Sequence, residues 1–294
     1  MSDNLMATDA IKDMVRARYG GIAASAEAAS CAPATTSCCA PAAAPDLNAK
    51  AREIGYSDEE LAAVPEGANL GLGCGNPLAI AAMKPGEVIV DLGSGAGFDC
   101  LLAGRQVDAT GRVIGIDMAH EMLKKARENA QKLVAGNVEF RLGELEHLPI
   151  ADGTADVIIS NCVINFVPDK AQVFREAFRV LKPGGRVSVS DVLNIAPLPE
   201  DLRADPALLC GCIAGAISAE RTEALLREAG LLEADEPIQQ YKPFRDAKNR
   251  LGVVAYQKRG QRAGGWFWAL PGQVPSDGLD ASQNEKASDG PEGI

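Results

Sequence analysis

Short apolar runs rich in valine and isoleucine recur through the middle of the chain, and stretches with helical spacing separate most of them. EVIVDLG (87–93), RVIGID (112–117), NVEFRLG (137–143), ADVIIS (155–160) and RVSVSDVL (186–193) read as strands. FDCLLAGRQV (98–107), EMLKKARENAQKLV (121–134) and AQVFREAFRVL (171–181) read as helices, and KPGG (182–185) as the turn into the fifth strand. Strands this apolar are buried on both faces. The alternation therefore predicts an α/β, Rossmann-like parallel sheet with helices on both sides.

The flanks follow other patterns. Residues 9–19 have the spacing of a short amphipathic helix, and an Ala/Ser/Pro/Cys-rich arm (23–45) follows. Short helices are expected near 48–54 and 57–63, the second opened by Ser57 and Glu60 at capping-box spacing. After Pro197 a helical region carries CGCIAGA (210–216), then comes a helix, ERTEALLREAG (220–230), and two strand-like runs, IQQYKPF (238–244) and LGVVAYQ (251–257). The expected organisation is 1–68 as an amino-terminal helix, arm and short helices, 69–196 as the core, 197–258 as a smaller carboxy-terminal region, and 259–294 as a disordered tail.

Composition narrows the chemistry. A formal charge of −11 repels phosphate backbones and acidic lipid, so neither a nucleic acid nor a membrane is expected as partner. The opening residues lack a continuous apolar core, and PALLCGCIAGAISA (206–219) is too short to span a bilayer, so the expected location is the cytoplasm. Eight cysteines in that compartment are core residues, ligands or redox groups rather than a disulfide framework. With two histidines in the chain, thiolate chemistry is better supplied than imidazole chemistry.

VIVDLGSGAG (88–97) joins a strand ending in Asp91 to a helix through a glycine turn. A nicotinamide fingerprint needs its third glycine at 98, where Phe98 stands; the glycines fall instead at Gly93, Gly95 and Gly97. Asp117, at the end of the second strand, is placed to accept two ribose hydroxyls. In GELEHLP (143–149), Leu145 can cover an adenine face and Glu146, or Glu144, can receive its amine. Together with Ser94 and Met118, these elements resemble the class I S-adenosylmethionine-dependent methyltransferases over roughly 84–196. The resemblance implies a seven-stranded, mostly parallel sheet.

Such a sheet binds ligands beyond the carboxyl ends of its strands. Cys162 lies there, after the fourth strand; Cys74 sits in GLGCGNP (71–77) and Cys212 in CGCIAGA. Three thiolates converging before a methyl donor suit a soft centre. Trivalent arsenic takes three sulfurs and keeps a lone pair, the nucleophile that a methylsulfonium needs. Cys100 reads as packing, Cys31 and Cys210 as spare thiols; Asp191 either orients the acceptor or closes its strand.

GLGCGNP, SNCVINFVPDK (160–170), CGCIAGA, DLGSGAG (91–97) and GIDMA (115–119) resemble the motifs of the arsenite methyltransferases, over most of the chain from YGGIA (19–23) to about Tyr256. That resemblance implies that Cys74 guards arsenite entry and that Cys162 and Cys212 hold arsenic. A fourth cysteine is implied at Cys38 or Cys39. Asn161 is implied to line the cofactor pocket, while Leu72 stands where an animal relative has an aromatic contact. The implied cycle takes arsenite as a thiol conjugate, releases S-adenosylhomocysteine, and relies on thioredoxin or glutathione as reductant. Two other readings share the core: a quinone- or sterol-type C- or O-methyltransferase, and a non-catalytic arsenite-binding protein. Aromatics at 4% of residues disfavour the first, and the intact glycine turn with Asp117 speaks against the second.

Overall fold

The computed structural model describes residues 2–25, 46–196, 198–199, 202, 205–232 and three strand segments, 239–241, 254–257 and 266–269. Strands β1 (Val88–Leu92), β2 (Arg112–Asp117), β3 (Val138–Leu142), β4 (Ala155–Asn161) and β5 (Leu181–Ser190) form one parallel sheet in the order β3-β2-β1-β4-β5. The order reverses between β1 and β4, which opens a crevice at their carboxyl ends. KPGG is taken into β5 rather than preceding it, and the pairing with β4 shifts register between Ala155 and Val157.

Successive strand residues point to opposite faces, so one run of apolar residues feeds two cores. Val90, Ile114, Ile158 and Val187 pack with Val173, Phe174 and Val180 of α7 (Lys170–Val180). Ile89, Val113 and Val157 pack instead with Leu102 and Ala103 of α5 (Phe98–Gln106) and Leu123 and Ala126 of α6 (His120–Leu133). Phe174 is among the largest fully enclosed side chains. Phe174→Ala is expected to cost about 3–5 kcal/mol through the cavity it leaves, read from a urea unfolding series.

The structure departs from expectation in four ways. The first helix, α1, runs over Ser2–Ala24 rather than 9–19. Helices α2 (Leu47–Glu53), α3 (Asp58–Ala62) and α4 (Leu78–Ala81) follow, α3 with both bonds of the Ser57/Glu60 capping box. Among the described residues the implied seven-stranded sheet is instead five parallel strands, with an antiparallel sheet of β6 (Gln239–Tyr241), β7 (Val254–Gln257) and β8 (Trp266–Ala269). Strand β8 lies in the stretch expected to be disordered and contains both tryptophans. CGCIAGA forms turns between α8 (Pro206–Leu209) and α9 (Ala219–Glu228) rather than a helix. No helix among the described residues is long and apolar enough to cross a membrane.

Candidate active site

The glycine turn after β1 is held by the neighbouring strand. The amides of Gly93 and Ser94 donate to the Ile116 carbonyl at 2.8 and 2.9 Å, and Gly93, Gly95 and Gly97 have φ of 75°, 51° and 87°. A Cβ at Gly93 would stand 2.5 Å from the Val163 side chain, so both backbone angle and space demand glycine there. A Cβ at Gly97 would stand 2.8 Å from Phe140 and 3.3 Å from Ala126, and Gly97 is not among the residues that line either compartment of the crevice.

Asp117 reaches back to this turn. Its carboxylate accepts from the amides of Gly95 (2.9 Å) and Ala119 (2.8 Å). Burial raises its pKa, and the amides offset part of that rise. One compartment of the crevice is lined by Gly93, Gly95, Asp117, Met118, Leu145, Glu146 and Asn161. The adjoining one shares Gly93, Gly95 and Asn161 and adds Asp91 and Ser94. Asp91 is 2% exposed, accepts from the Cys100 thiol at 3.1 Å, and is pushed well up by burial; Cys100 thus does more than pack.

This donor set fits S-adenosylmethionine. Acceptor-only carboxylates suit its hydroxyls, amine and ammonium, the walls of Leu72, Met118, Met122 and Leu145 suit a purine, and bare glycine backbone suits a close approach.

Sequence reasoning missed the contribution of α1. Lys12, Val15 and Tyr19, spaced as one helical face, line the same crevice. Lys12 Nζ stands 2.7 Å from Glu144 and 2.9 Å from Glu146, so both candidate adenine acceptors share one cation. Burial pulls the Lys12 pKa down, but hydrogen bonds to the two carboxylates leave it raised. Tyr19 lies 5.2 Å from Phe166 between ring centroids, so α1 supplies an aromatic ring to the pocket that Leu72 also lines.

The three expected thiols meet at the mouth of this crevice. Cys162 directly follows β4 in a left-handed conformation (φ 58°), its amide tied to the Ser190 carbonyl at 2.7 Å. Its sulfur is 3.0 Å from that of Cys212, also left-handed at φ 64°. Non-glycine residues held there store about 1–3 kcal/mol each, strain typical of functional sites. Cys74 is fixed by its amide to Asn161 Oδ1 at 3.0 Å, and its sulfur is 3.4 Å from the Ser190 carbonyl. The Cys74 and Cys162 sulfurs and an Asp191 oxygen all lie within 4.8 Å of one another.

Asn161 does more than line a pocket. Its amide nitrogen reaches the Tyr56 hydroxyl (3.1 Å), the Gly75 carbonyl (2.8 Å) and Asp99 (3.1 Å), which ties the Cys74 loop to the end of β4. Burial pushes Asp99 up to about 6, against the hydrogen bonds from Tyr56 and Asn161. Cys210 is buried in the cluster that holds Cys162 and Cys212, while Cys31, Cys38 and Cys39 lie outside the described residues.

The thiols divide one negative charge. Hydrogen bonds from Cys212 and then Cys74 draw Cys162 well below the usual thiol range, outweighing its burial. Cys74 and Cys212 are pushed well above it, first by that same interaction and then by burial. Cys162 is the thiolate of the group, ionised above its depressed pKa and lost only as pH falls through it. Its alkylation by iodoacetamide should therefore stay fast through neutral pH. In a Cys74→Ala/Cys212→Ala background, where nothing donates to it and burial acts unopposed, the profile should move up in pH. An unchanged profile in that background would contradict the donation.

A parallel sheet of order 3-2-1-4-5 with a glycine turn after β1 and acids at the ends of β2 and β3 is a Rossmann-like fold. A methyltransferase domain family model matches residues 83–230, half of the chain. An arsenite methyltransferase of Halobacterium salinarum is 51% identical over 227 residues, 74% of this chain and 56% of the relative. Human arsenite methyltransferase is 40% identical over 151 residues, 48% of this chain and 40% of the relative. The solved structure of an arsenic(III) S-adenosylmethionine methyltransferase from Chlamydomonas reinhardtii is 31% identical. It matches with a TM-score of 0.52, covering 78% of this chain and 75% of that one. The chain belongs to the arsenite methyltransferase family, as its motifs implied. It spans about half the length of the curated relatives it matches.

Proposed function

We propose that this chain transfers methyl groups from S-adenosylmethionine to trivalent arsenic held by Cys74, Cys162 and Cys212. The observation that carries this reading is the meeting of three thiols, from three separate loops, beside a crevice of carboxylates and bare glycine backbone. Bound S-adenosylmethionine supplies an electrophilic methyl group on a sulfonium. Asp91 would hold its ammonium, Asp117 its ribose hydroxyls and Glu146 or Glu144 its adenine amine, and Leu145 and Met118 would cover the purine.

The thiols take arsenic from a thiol conjugate of arsenite by exchange. Each protein S–As bond forms as one carrier S–As bond breaks; the departing carrier takes the proton of Cys74 or Cys212, and where Cys162 attacks as thiolate it takes one from solvent. Cys162, already the thiolate, attacks first. Three sulfur ligands leave the arsenic lone pair free, and their fixed positions orient it toward the crevice. Methylation oxidises arsenic to the pentavalent state. Cys162 and Cys212, at 3.0 Å, return two electrons to arsenic as their two S–As bonds break and one S–S bond forms, and thioredoxin or glutathione then reduces that disulfide. A reducing cytoplasm suits this cycle.

The test is formation of S-adenosylhomocysteine by the reduced chain with arsenite, with a quinol, and with neither. Turnover only with arsenite supports the proposal. Turnover with the quinol alone would move the protein to carbon or oxygen acceptors, and tight arsenite retention without turnover would make it a binding protein.

A further inference from the structure

The thiol cluster has a member that methyl transfer to arsenic does not use. Asp191 follows β5, is 4% exposed, and brings a carboxylate oxygen within 4.8 Å of both the Cys74 and Cys162 sulfurs. Cys212 lies 3.0 Å from Cys162 but outside that three-residue group. Two donor sets therefore overlap on Cys74 and Cys162. One is all sulfur, completed by Cys212; the other is two sulfurs and an oxygen, completed by Asp191. The first suits a soft trivalent metalloid. The second suits a borderline divalent ion.

We propose that Cys74, Cys162 and Asp191 bind a divalent ion of the zinc class, which excludes the arsenical because the two share ligands. Zinc takes thiolate at about 2.3 Å and carboxylate oxygen at about 2.0–2.2 Å in tetrahedral array, with ligand atoms about 3.5–3.8 Å apart. Small side-chain rotations bring atoms already within 4.8 Å to that spacing.

The carboxylate is held for such a role. Asp191 Oδ1 accepts from Asn165 Nδ2 and from the Val192 amide, both at 2.8 Å, and Oδ2 accepts only a long bond of 3.3 Å from the Asn165 amide. Oδ2 thus keeps a lone pair for an ion, and a buried amide orients the ligand, the usual second layer of a metal site. Asn165 is itself fixed by Nδ2 contacts to the carbonyls of Val192 (2.7 Å) and Cys212 (3.3 Å). The Lys170 ammonium donates to the carbonyls of Val167 (2.9 Å) and Asn165 (3.4 Å) rather than to Asp191. Binding releases the Cys74 proton, and the proton that burial beside Cys162 favours on Asp191, to solvent and involves no electron transfer. Three protein ligands leave a fourth position open.

Only the competition rests on the proposed function; the metal site stands on its own residues. The reduced full chain is titrated with zinc ion against a chromogenic chelator, and arsenite retention is measured separately. Asp191→Asn is expected to weaken zinc about tenfold or more and to leave arsenite retention unchanged. Cys212→Ser is expected to do the reverse. Zinc K-edge absorption on the unaltered chain, which needs no variant to fold, should find two sulfur ligands with the rest oxygen. A wild-type chain that holds no zinc, zinc and arsenite bound together, undiminished zinc affinity in Asp191→Asn, or a three-sulfur zinc shell would each overturn the proposal. Zinc binding without arsenite retention would uphold the metal site and sink the arsenic reading instead.

Discussion

Cys162→Ser is expected to lower methyl transfer to arsenite by more than about 100-fold, beyond the 10–100-fold typical for losing a second-layer partner of a metal site. The substitution removes the thiolate that starts exchange and a ligand shared with both Cys74 and Cys212. It also removes the sulfur that lies 3.0 Å from the Cys212 sulfur. Cys212→Ser should cost a similar factor, and the double variant little more, because the sulfurs act as one unit. Cofactor affinity should be unchanged in both, which separates loss of acceptor binding from collapse of the crevice. Product formation with retained S-adenosylhomocysteine binding, measured on the same preparations, makes that separation.

Asp117→Ala should act on the opposite side of the reaction. Charge-assisted hydrogen bonds contribute about 1.5–3 kcal/mol each, so S-adenosylhomocysteine affinity should fall about 10–150-fold by titration calorimetry. Part of that loss is indirect. The carboxylate holds the amides of Gly95 and Ala119, and without it the glycine turn loses its tie to the end of β2. Arsenite retention by the thiols should survive. Unchanged cofactor affinity would mean that Asp117 serves the turn alone.

These two sides of the site differed in how far the sequence revealed them. The glycine turn was legible because φ above zero is a local demand that few residues meet, and Gly93, Gly95 and Gly97 stand at the end of an unmistakable buried strand. Topology made only Cys162 legible, at the carboxyl end of β4; Cys74, before β1, and Cys212, between α8 and α9, were joined to it by the resemblance of their motifs. Asp191 stayed ambiguous for the converse reason. Its meaning depends on Asn165 and on two sulfurs from other loops, none of which is near it in sequence.

The ends of the chain misled for other reasons. Lys12, Val15 and Tyr19 share a helical face that periodicity reveals, yet only tertiary packing decides that this face closes the crevice. Trp266–Ala269 has the aromatic content of a strand, but the glycine- and aspartate-rich sequence around it outweighed that signal. Strand β8 gains its pairing from β7, a partner that composition does not announce. Among the described residues the implied sixth and seventh places in the main sheet are not filled, since an antiparallel unit of three short strands and a continuing sheet look alike as apolar runs.

The central claim is that the three thiols hold arsenic for methylation, and product speciation tests it most directly. Reduced wild-type protein and Cys162→Ser are incubated with arsenite, S-adenosylmethionine and a thiol, and the arsenicals are separated and counted by elemental mass detection. Methylated arsenic from the wild type, with none above background from the variant, is the predicted result. Equal methylated product from both proteins would contradict the account, because the transfer would then proceed without the thiolate around which the site is built.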